Sequence, residues 1–186
     1  MKILVTGFTP FDGDSRNPSE ELLGHLKGKT WPFELVTDLL PVSFSRSTKQ
    51  IAMTIAREKP ALVIMTGLAK NRSDITVERI GINWVDARIE DVDGEKPVNQ
   101  KINLAGEDGL FTRLPVLAMI DASRAAGVPA KLSTSAGEYV CNYLLYRVLQ
   151  ENPQTPVGFI HLPWDANFSG VERMLEVCYH HLTMNK

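Results

Sequence analysis

The chain has 186 residues and only two cysteines, Cys141 and Cys178, too few for a disulfide framework. Long apolar runs are missing, and nothing approaches the ~18 residues of a membrane-spanning helix. The first apolar run, Ile3 to Val5, stops at Thr6-Gly7 and is too short for the core of a secretory leader. An excess of charge is missing as well. A net charge of −2 gives no electrostatic case for nucleic acid or an anionic membrane. Zinc-site spacing is absent, because Cys178, His180 and His181 have no further ligand pair and read as decoration of the last helix. Repeats, low-complexity segments and linkers are not seen. These absences predict a cytoplasmic protein with reduced thiols, built as a single domain over residues 1–186. No metal or cofactor, nucleic-acid partner or membrane partner is expected.

Four short apolar runs organise the chain: Lys2–Thr6, Ala61–Thr66, Ala130–Thr134 and Val157–Leu162. The first, second and fourth are nearly continuously apolar, as strands buried on both faces of a parallel sheet would be. Between them lie helical patterns at Pro18–Leu26, Ser45–Arg57, Leu114–Ala126, Gly137–Gln150 and Gly170–Leu182, the first with Asn17 as its N-cap. Glu34–Leu40 and Ile75–Val85 read as extended. Strands alternating with helices predict an α/β fold. The polar stretch from Asp86 to Thr112 reads as a long excursion containing a hairpin, and long loops in compact domains are often functional.

Gly-rich or polar punctuation follows the apolar runs: Gly7-Phe8-Thr9-Pro10-Phe11-Asp12-Gly13, Gly67-Leu68-Ala69 and Ser135-Ala136-Gly137, while His161 sits near the end of the fourth. Ligands of open α/β sheets bind outside the carboxyl ends of strands, so parallel neighbours would gather all four segments at one edge. Gly7 to Gly13 has neither the ending of a P-loop nor the pattern of a dinucleotide fingerprint.

Three residues stand in awkward places. Cys141 shares a helix face with Leu144, Leu145 and Val148, which suits a buried, inert thiol. It also lies near a helix start, where unpaired N–H groups favour a thiolate nucleophile. His161 lies inside an apolar strand, either as a hydrogen-bonded core histidine or as a base. Glu78 shares an extended face with Thr76, Ile80, Ile82 and Trp84, where a carboxylate needs a partner. That partner is either an arginine in a structural ion pair or an imidazole that the carboxylate orients. The three placements explain one another if the residues touch.

At this point the sequence resembles the pyroglutamyl peptidase I (pyrrolidone-carboxylate peptidase) family of cysteine peptidases. The carriers are GFTPFDG with Asn17-Pro18-Ser19, VERIGIN from Val77 to Asn83, SAGEYVCN from Ser135 to Asn142, and GFIHLP from Gly158 to Pro163. The four motifs stand in the family's order and cover nearly the whole chain. The resemblance implies a three-layer α/β/α sandwich around a largely parallel, mixed sheet, phosphorylase- or hydrolase-like in architecture. It implies a catalytic triad of Cys141, His161 and Glu78, with no metal or cofactor. It implies a pocket for a pyroglutamyl ring, with walls Phe8 and Phe11, a polar contact from Asn17, Tyr139 at a commonly aromatic position, and Arg88 nearby. The implied substrates are peptides with N-terminal pyroglutamate, attacked through a thioester, and the implied assembly is a homo-oligomer, often a tetramer. Leu68 departs from the family, which often has a glutamine there. Asp12-Gly13, Lys70-Asn71 and Glu90-Asp91-Val92 are further departures. An amidase for another small lactam or amide, and a catalytically silent binding protein, are the rival expectations. A nucleoside phosphorylase-like enzyme would share the architecture, but no phosphate cradle is seen.

Overall fold

The computed structural model describes residues 1–184; positions 185 and 186 of the expected domain lie outside the described residues. Eight strands and five helices follow in the order β1 (Lys2–Phe8), α1 (Pro18–Lys27), β2 (Glu34–Leu40), α2 (Phe44–Glu58), β3 (Leu62–Leu68), β4 (Ile75–Glu78), β5 (Ile80–Ile82), β6 (Gly109–Phe111), α3 (Val116–Ala125), β7 (Ala130–Ser133), α4 (Val140–Glu151), β8 (Val157–Leu162) and α5 (Ser169–Met184). Six strands form the central sheet in the order β2-β1-β3-β8-β4-β7.

Alternation along the strands sorts the interior into two cores. Ile3 and Val5 of β1, Ile64 of β3 and Ile160 of β8 face α1, α3 and α5. Leu4, Val63, Met65 and Phe159 face the opposite way, against α2 and α4. The result is the expected α/β/α sandwich. The apolar runs are short because each strand needs only enough residues to cross one layer of helices.

Direction within the sheet differs from the simplest expectation. Strands β2, β1, β3 and β8 are mutually parallel. Strand β4 is antiparallel to β8, with Thr76 opposite His161, and β7 is parallel to β4. The run ending at Thr134 therefore does not end at the same edge as the other three. The segment after β7 reaches that edge through the loop 134–139. A further correction concerns Ile75–Val85, which is not one strand. The chain leaves the main sheet at Arg79, and β5 pairs with β6 in a separate two-stranded sheet. Glu78 thus shares its buried face with Thr76 and not with Ile80 or Ile82, which are only partly buried.

That second sheet closes the neck of the polar excursion. Asn83 secures it: its side-chain N–H groups donate to the carbonyls of Asn103 (2.8 Å) and Gly106 (3.2 Å), and its Oδ1 accepts from the Asn103 N–H at 2.8 Å. Further along, Asp91 accepts from the Phe44 N–H at 2.9 Å, which fastens the excursion to the start of α2. Val85 and Ala87 are buried in the α2–α4 core, so this part of the excursion packs on its own sheet.

Candidate active site

The site begins with a close approach at the end of β1. A Cβ on Gly7 would stand 2.3 Å from the Ser19 carbonyl oxygen, so only glycine lets the first turn of α1 lie against the strand. Ser19 then binds the strand end, its hydroxyl accepting from the Phe8 N–H at 2.9 Å. Asn17 caps α1, with Oδ1 accepting from the Ser19 N–H at 3.0 Å and the Ser19 hydroxyl at 2.8 Å. Its Nδ2 donates to the Thr9 carbonyl at 3.2 Å. Ser19 and Asn17 therefore hold the strand end at Phe8 and the start of the loop that carries Phe11. A side-chain amide has two N–H donors, so Asn17 keeps only one for a ligand.

Helix α4 starts at Val140, three residues later than the sequence pattern suggests, which puts Cys141 in its first turn. Tyr139 is the N-cap residue and supplies no side-chain cap, so the first N–H groups of the helix lack one. Leu144, Leu145 and Val148 on the cysteine's face are fully buried, while Cys141 itself stays partly exposed. The leucines anchor the helix, and Cys141 is among the residues that line a cavity. Gly67, at the end of β3, makes room for that sulfur. A Cβ there would lie 2.9 Å from the Phe159 ring and 3.1 Å from Cys141 Sγ.

His161 is the register partner of Gly67 and is buried. Its Nδ1 lies 2.8 Å from Glu78 Oε1. Arg72, from the turn after β3, donates from Nη1 to the same oxygen at 2.6 Å. Glu78 thus has both of the partners weighed for it, an arginine and an imidazole. Its Oε2 has no hydrogen-bond partner among the described residues. The Ser133 hydroxyl, opposite it in the register, instead donates to the Ser135 carbonyl at 3.1 Å.

Burial pushes the Glu78 carboxyl upward, but the hydrogen bond and charge of His161, with Arg72, more than offset it and hold the group below its usual value. Burial pushes His161 below its ordinary value, against the pull of Glu78. The Cys141 thiol is raised to about 12 by desolvation and by the Glu78 charge, although Arg72 and its own backbone N–H work the other way. Desolvation outweighs the helix start and favours a neutral thiol beside a neutral imidazole. With Glu78 ionised, Nδ1–H donates to it and Nε2 carries the free lone pair. No hydrogen bond joins Cys141 Sγ to His161 among the described residues, and such bonds often form only when substrate is bound.

Cys141 lines a cavity of about 410 Å³ together with Phe8, Phe11, Asn17, Leu68, Arg88 and Tyr139, all six of the residues anticipated for substrate binding. Phe11 and Tyr139 stack with ring centroids 6.1 Å apart and planes 27° from parallel. Phe44 meets Tyr139 edge-on at 5.2 Å. The Tyr139 hydroxyl donates to the Glu90 carbonyl at 3.0 Å, and burial raises its pKa to about 12, so it stays protonated. Asp14 and Lys70, also in the wall, neutralise each other at 2.6 Å. Sequence reading did not single out Val42, Ile89, Asn71 or Val140 as lining residues, nor Arg72 as the partner of Glu78. Only the position of Arg72 after β3 pointed to it. Among the described residues no group of three or more histidine, cysteine or acidic side chains is placed to hold a metal ion.

A thiol at a helix start, a buried imidazole and a buried carboxylate served by one face of an α/β sheet make up the equipment of a thiol-dependent hydrolase. The chain matches the family model described as pyroglutamyl peptidase over residues 1–169. It is 40% identical to the pyrrolidone-carboxylate peptidase of Alkaliphilus oremlandii, with 100% of this chain and 95% of that protein covered. Its fold is similar to the solved pyrrolidone carboxyl peptidase from Thermococcus litoralis, at TM-score 0.93 and 34% identity, covering 100% of this chain and 96% of that one. The pyroglutamyl peptidase I from Bacillus amyloliquefaciens is similar at TM-score 0.88 and 32% identity, covering 95% and 92%. The chain belongs to the pyroglutamyl peptidase family.

Proposed function

We propose that the protein is a single-domain cysteine peptidase that removes N-terminal pyroglutamate from peptides, with Cys141 as nucleophile, His161 as base and Glu78 as the carboxylate that orients it. The observation that carries this reading is the Glu78–His161 pair on the sheet face that also receives Cys141 beside Gly67. His161 Nε2 takes the thiol proton as Cys141 Sγ attacks the carbonyl joining pyroglutamate to the next residue. The oxyanion is met by N–H groups at the start of α4, with Arg88 in the same cavity wall. One such donor is typically worth about 2.7–4 kcal/mol. The imidazolium then protonates the leaving amine, and water releases pyroglutamate from the thioester. A cyclised N-terminus carries no ammonium group, which suits the flat aromatic walls of the cavity. Release of free pyroglutamate from a synthetic pyroglutamyl peptide by the purified chain is the direct test.

Leu68 keeps an amidase for another small lactam or amide in view, since it offers the ring no hydrogen bond. On the peptidase reading, Leu68→Gln lowers KM for a pyroglutamyl substrate by a few-fold with kcat little changed, because a neutral hydrogen bond is worth about 0.5–1.5 kcal/mol. Asn17→Ala raises KM through its one spare N–H and also costs about 1 kcal/mol of stability as a lost cap. Steady-state kinetics beside thermal melts separates the two effects. An unchanged KM in Asn17→Ala restricts that residue to its cap.

A cytoplasmic location and a homotetramer complete the proposal. The first suits the free thiols Cys141 and Cys178. For the second, Leu104 is 89% exposed and Phe111 57% exposed on the excursion, and such apolar surface seeks a cover. Ile89 instead lines the cavity, and Leu110 packs against the α2–α4 core. Light scattering at micromolar concentration should give a tetrameric mass; a monomer throughout a dilution series contradicts it.

A further inference from the structure

Arg72 stands outside the three groups assigned to the reaction, yet its guanidinium joins the pieces that hold them. It follows a turn in which the Arg72 N–H donates to the Ala69 carbonyl at 3.0 Å. Nη1 donates to Glu78 Oε1 at 2.6 Å and also to the Thr76 hydroxyl. Nη2 donates to the Ser135 carbonyl at 2.9 Å. The first two contacts fix strand β4. The third fixes the start of the loop that leads to α4 and Cys141. Thr134, Ser135, Gly137 and Glu138 of that loop are exposed. Besides Arg72, its first half is held by hydrogen bonds between Ser133 and Ser135 and between Ser135 and Gly137. Its far half is held by buried Ala136, by the Asp86 N–H on the Glu138 carbonyl and by the Tyr139 hydroxyl on the Glu90 carbonyl.

We propose that Arg72 is a positioning residue for the reaction, one that locks the orienting carboxylate and the loop delivering the nucleophile into a single arrangement. The inference rests on the triad assignment. A lysine cannot reproduce it, because only a planar fork reaches a carboxylate and a carbonyl in two directions at once. The guanidinium also shares Glu78 Oε1 with the His161 ring, so its charge lies next to the site where an imidazolium forms. The charged and titratable groups around that imidazole are Glu78 from β4, Arg72 from the β3–β4 turn and Cys141 from α4. Of these, Glu78 favours protonation of His161 and Arg72 opposes it.

The test is the pH dependence of kcat/KM on a pyroglutamyl-coumarin substrate, together with the pH dependence of Cys141 alkylation by iodoacetamide. Arg72→Met should lower kcat/KM by about 10- to 10²-fold, the scale of a small misplacement of reacting groups, with KM little changed. The acid limb should move to higher pH, because the imidazole loses a repelling charge. Glu78→Gln should move the same limb to lower pH. Arg72→Lys should restore the position of the limb but not the full rate. A purely structural arginine would lower the melting temperature of Arg72→Met and leave both the limb and the rate per folded molecule unchanged, and that result overturns the proposal. Should Arg72→Met fail to fold, parent-like turnover in Arg72→Lys overturns it equally. Alkylation needs no substrate, so it reads Arg72 even if the parent does not hydrolyse pyroglutamyl amides, an outcome that sinks the peptidase reading instead.

Discussion

Cys141→Ala is expected to lose turnover by about 10³-fold or more, the usual consequence of removing one member of a catalytic set, while the protein stays folded. Retention of the fold follows from the setting. The leucines that anchor α4 are untouched, and the missing sulfur enlarges a cavity that is already open. Iodoacetamide should inactivate the parent by modifying Cys141 before Cys178. Acidity does not distinguish the two thiols, since both are raised to about 12 by burial. Access does. Cys178 is 1% exposed within the core of α5, whereas Cys141 lines the cavity. Peptide mapping after partial alkylation reads this directly, and near-full activity in Cys141→Ala would end the nucleophile assignment.

Glu78→Gln should lower kcat by about 10²-fold or more, within the range that positioned proton transfer contributes. The geometry limits how the glutamine can sit. Its oxygen must take the place of Oε1, where it accepts from both His161 and Arg72. Its amide nitrogen then takes the place of Oε2, which has no partner among the described residues. The imidazole keeps its tautomer in this arrangement, so the loss comes from charge: the imidazolium formed during attack no longer faces a carboxylate. Removing the charge also leaves Arg72 without its counter-ion, so some stability is lost as well. Kinetics and melts on the same variant separate the roles. A lowered melting temperature with unchanged turnover would make Glu78 only a structural partner of Arg72.

Much of the fold was legible because local patterns carry it. Glu34–Leu40 and Val157–Leu162 were read to the residue, and the helices to within a few residues, since burial on one face imposes a period that the sequence shows. Strand direction is not local. Nothing within Ile75–Glu78 or Ala130–Ser133 states that they run against β8, and a strand of four residues carries too little pattern to say so. The break at Arg79 was hidden for a related reason, because β4 and β5 are separated by that one residue and both are extended. In the site, His161 and Glu78 were conspicuous because a polar or charged group in an apolar strand is costly without a partner, and Cys141 because it stood near a helix start. Arg72 was not, because an arginine in a polar turn is ordinary until its partners are known. Asn17 was read correctly as a cap, but the sequence could not show how much of its amide the cap consumes.

The most direct test of the central claim is hydrolysis of pyroglutamyl-coumarin measured beside prolyl- and alanyl-coumarin with the same purified protein. Proline has a five-membered ring of the same size but lacks the lactam carbonyl and carries a charged amine. Alanine lacks the ring altogether. The cavity that Phe8, Phe11 and Tyr139 line together with Cys141 predicts release of coumarin from the pyroglutamyl substrate alone, abolished in Cys141→Ala. Comparable hydrolysis of the prolyl or alanyl substrate, or no hydrolysis of any of the three by protein whose Cys141 still reacts with iodoacetamide, would contradict it.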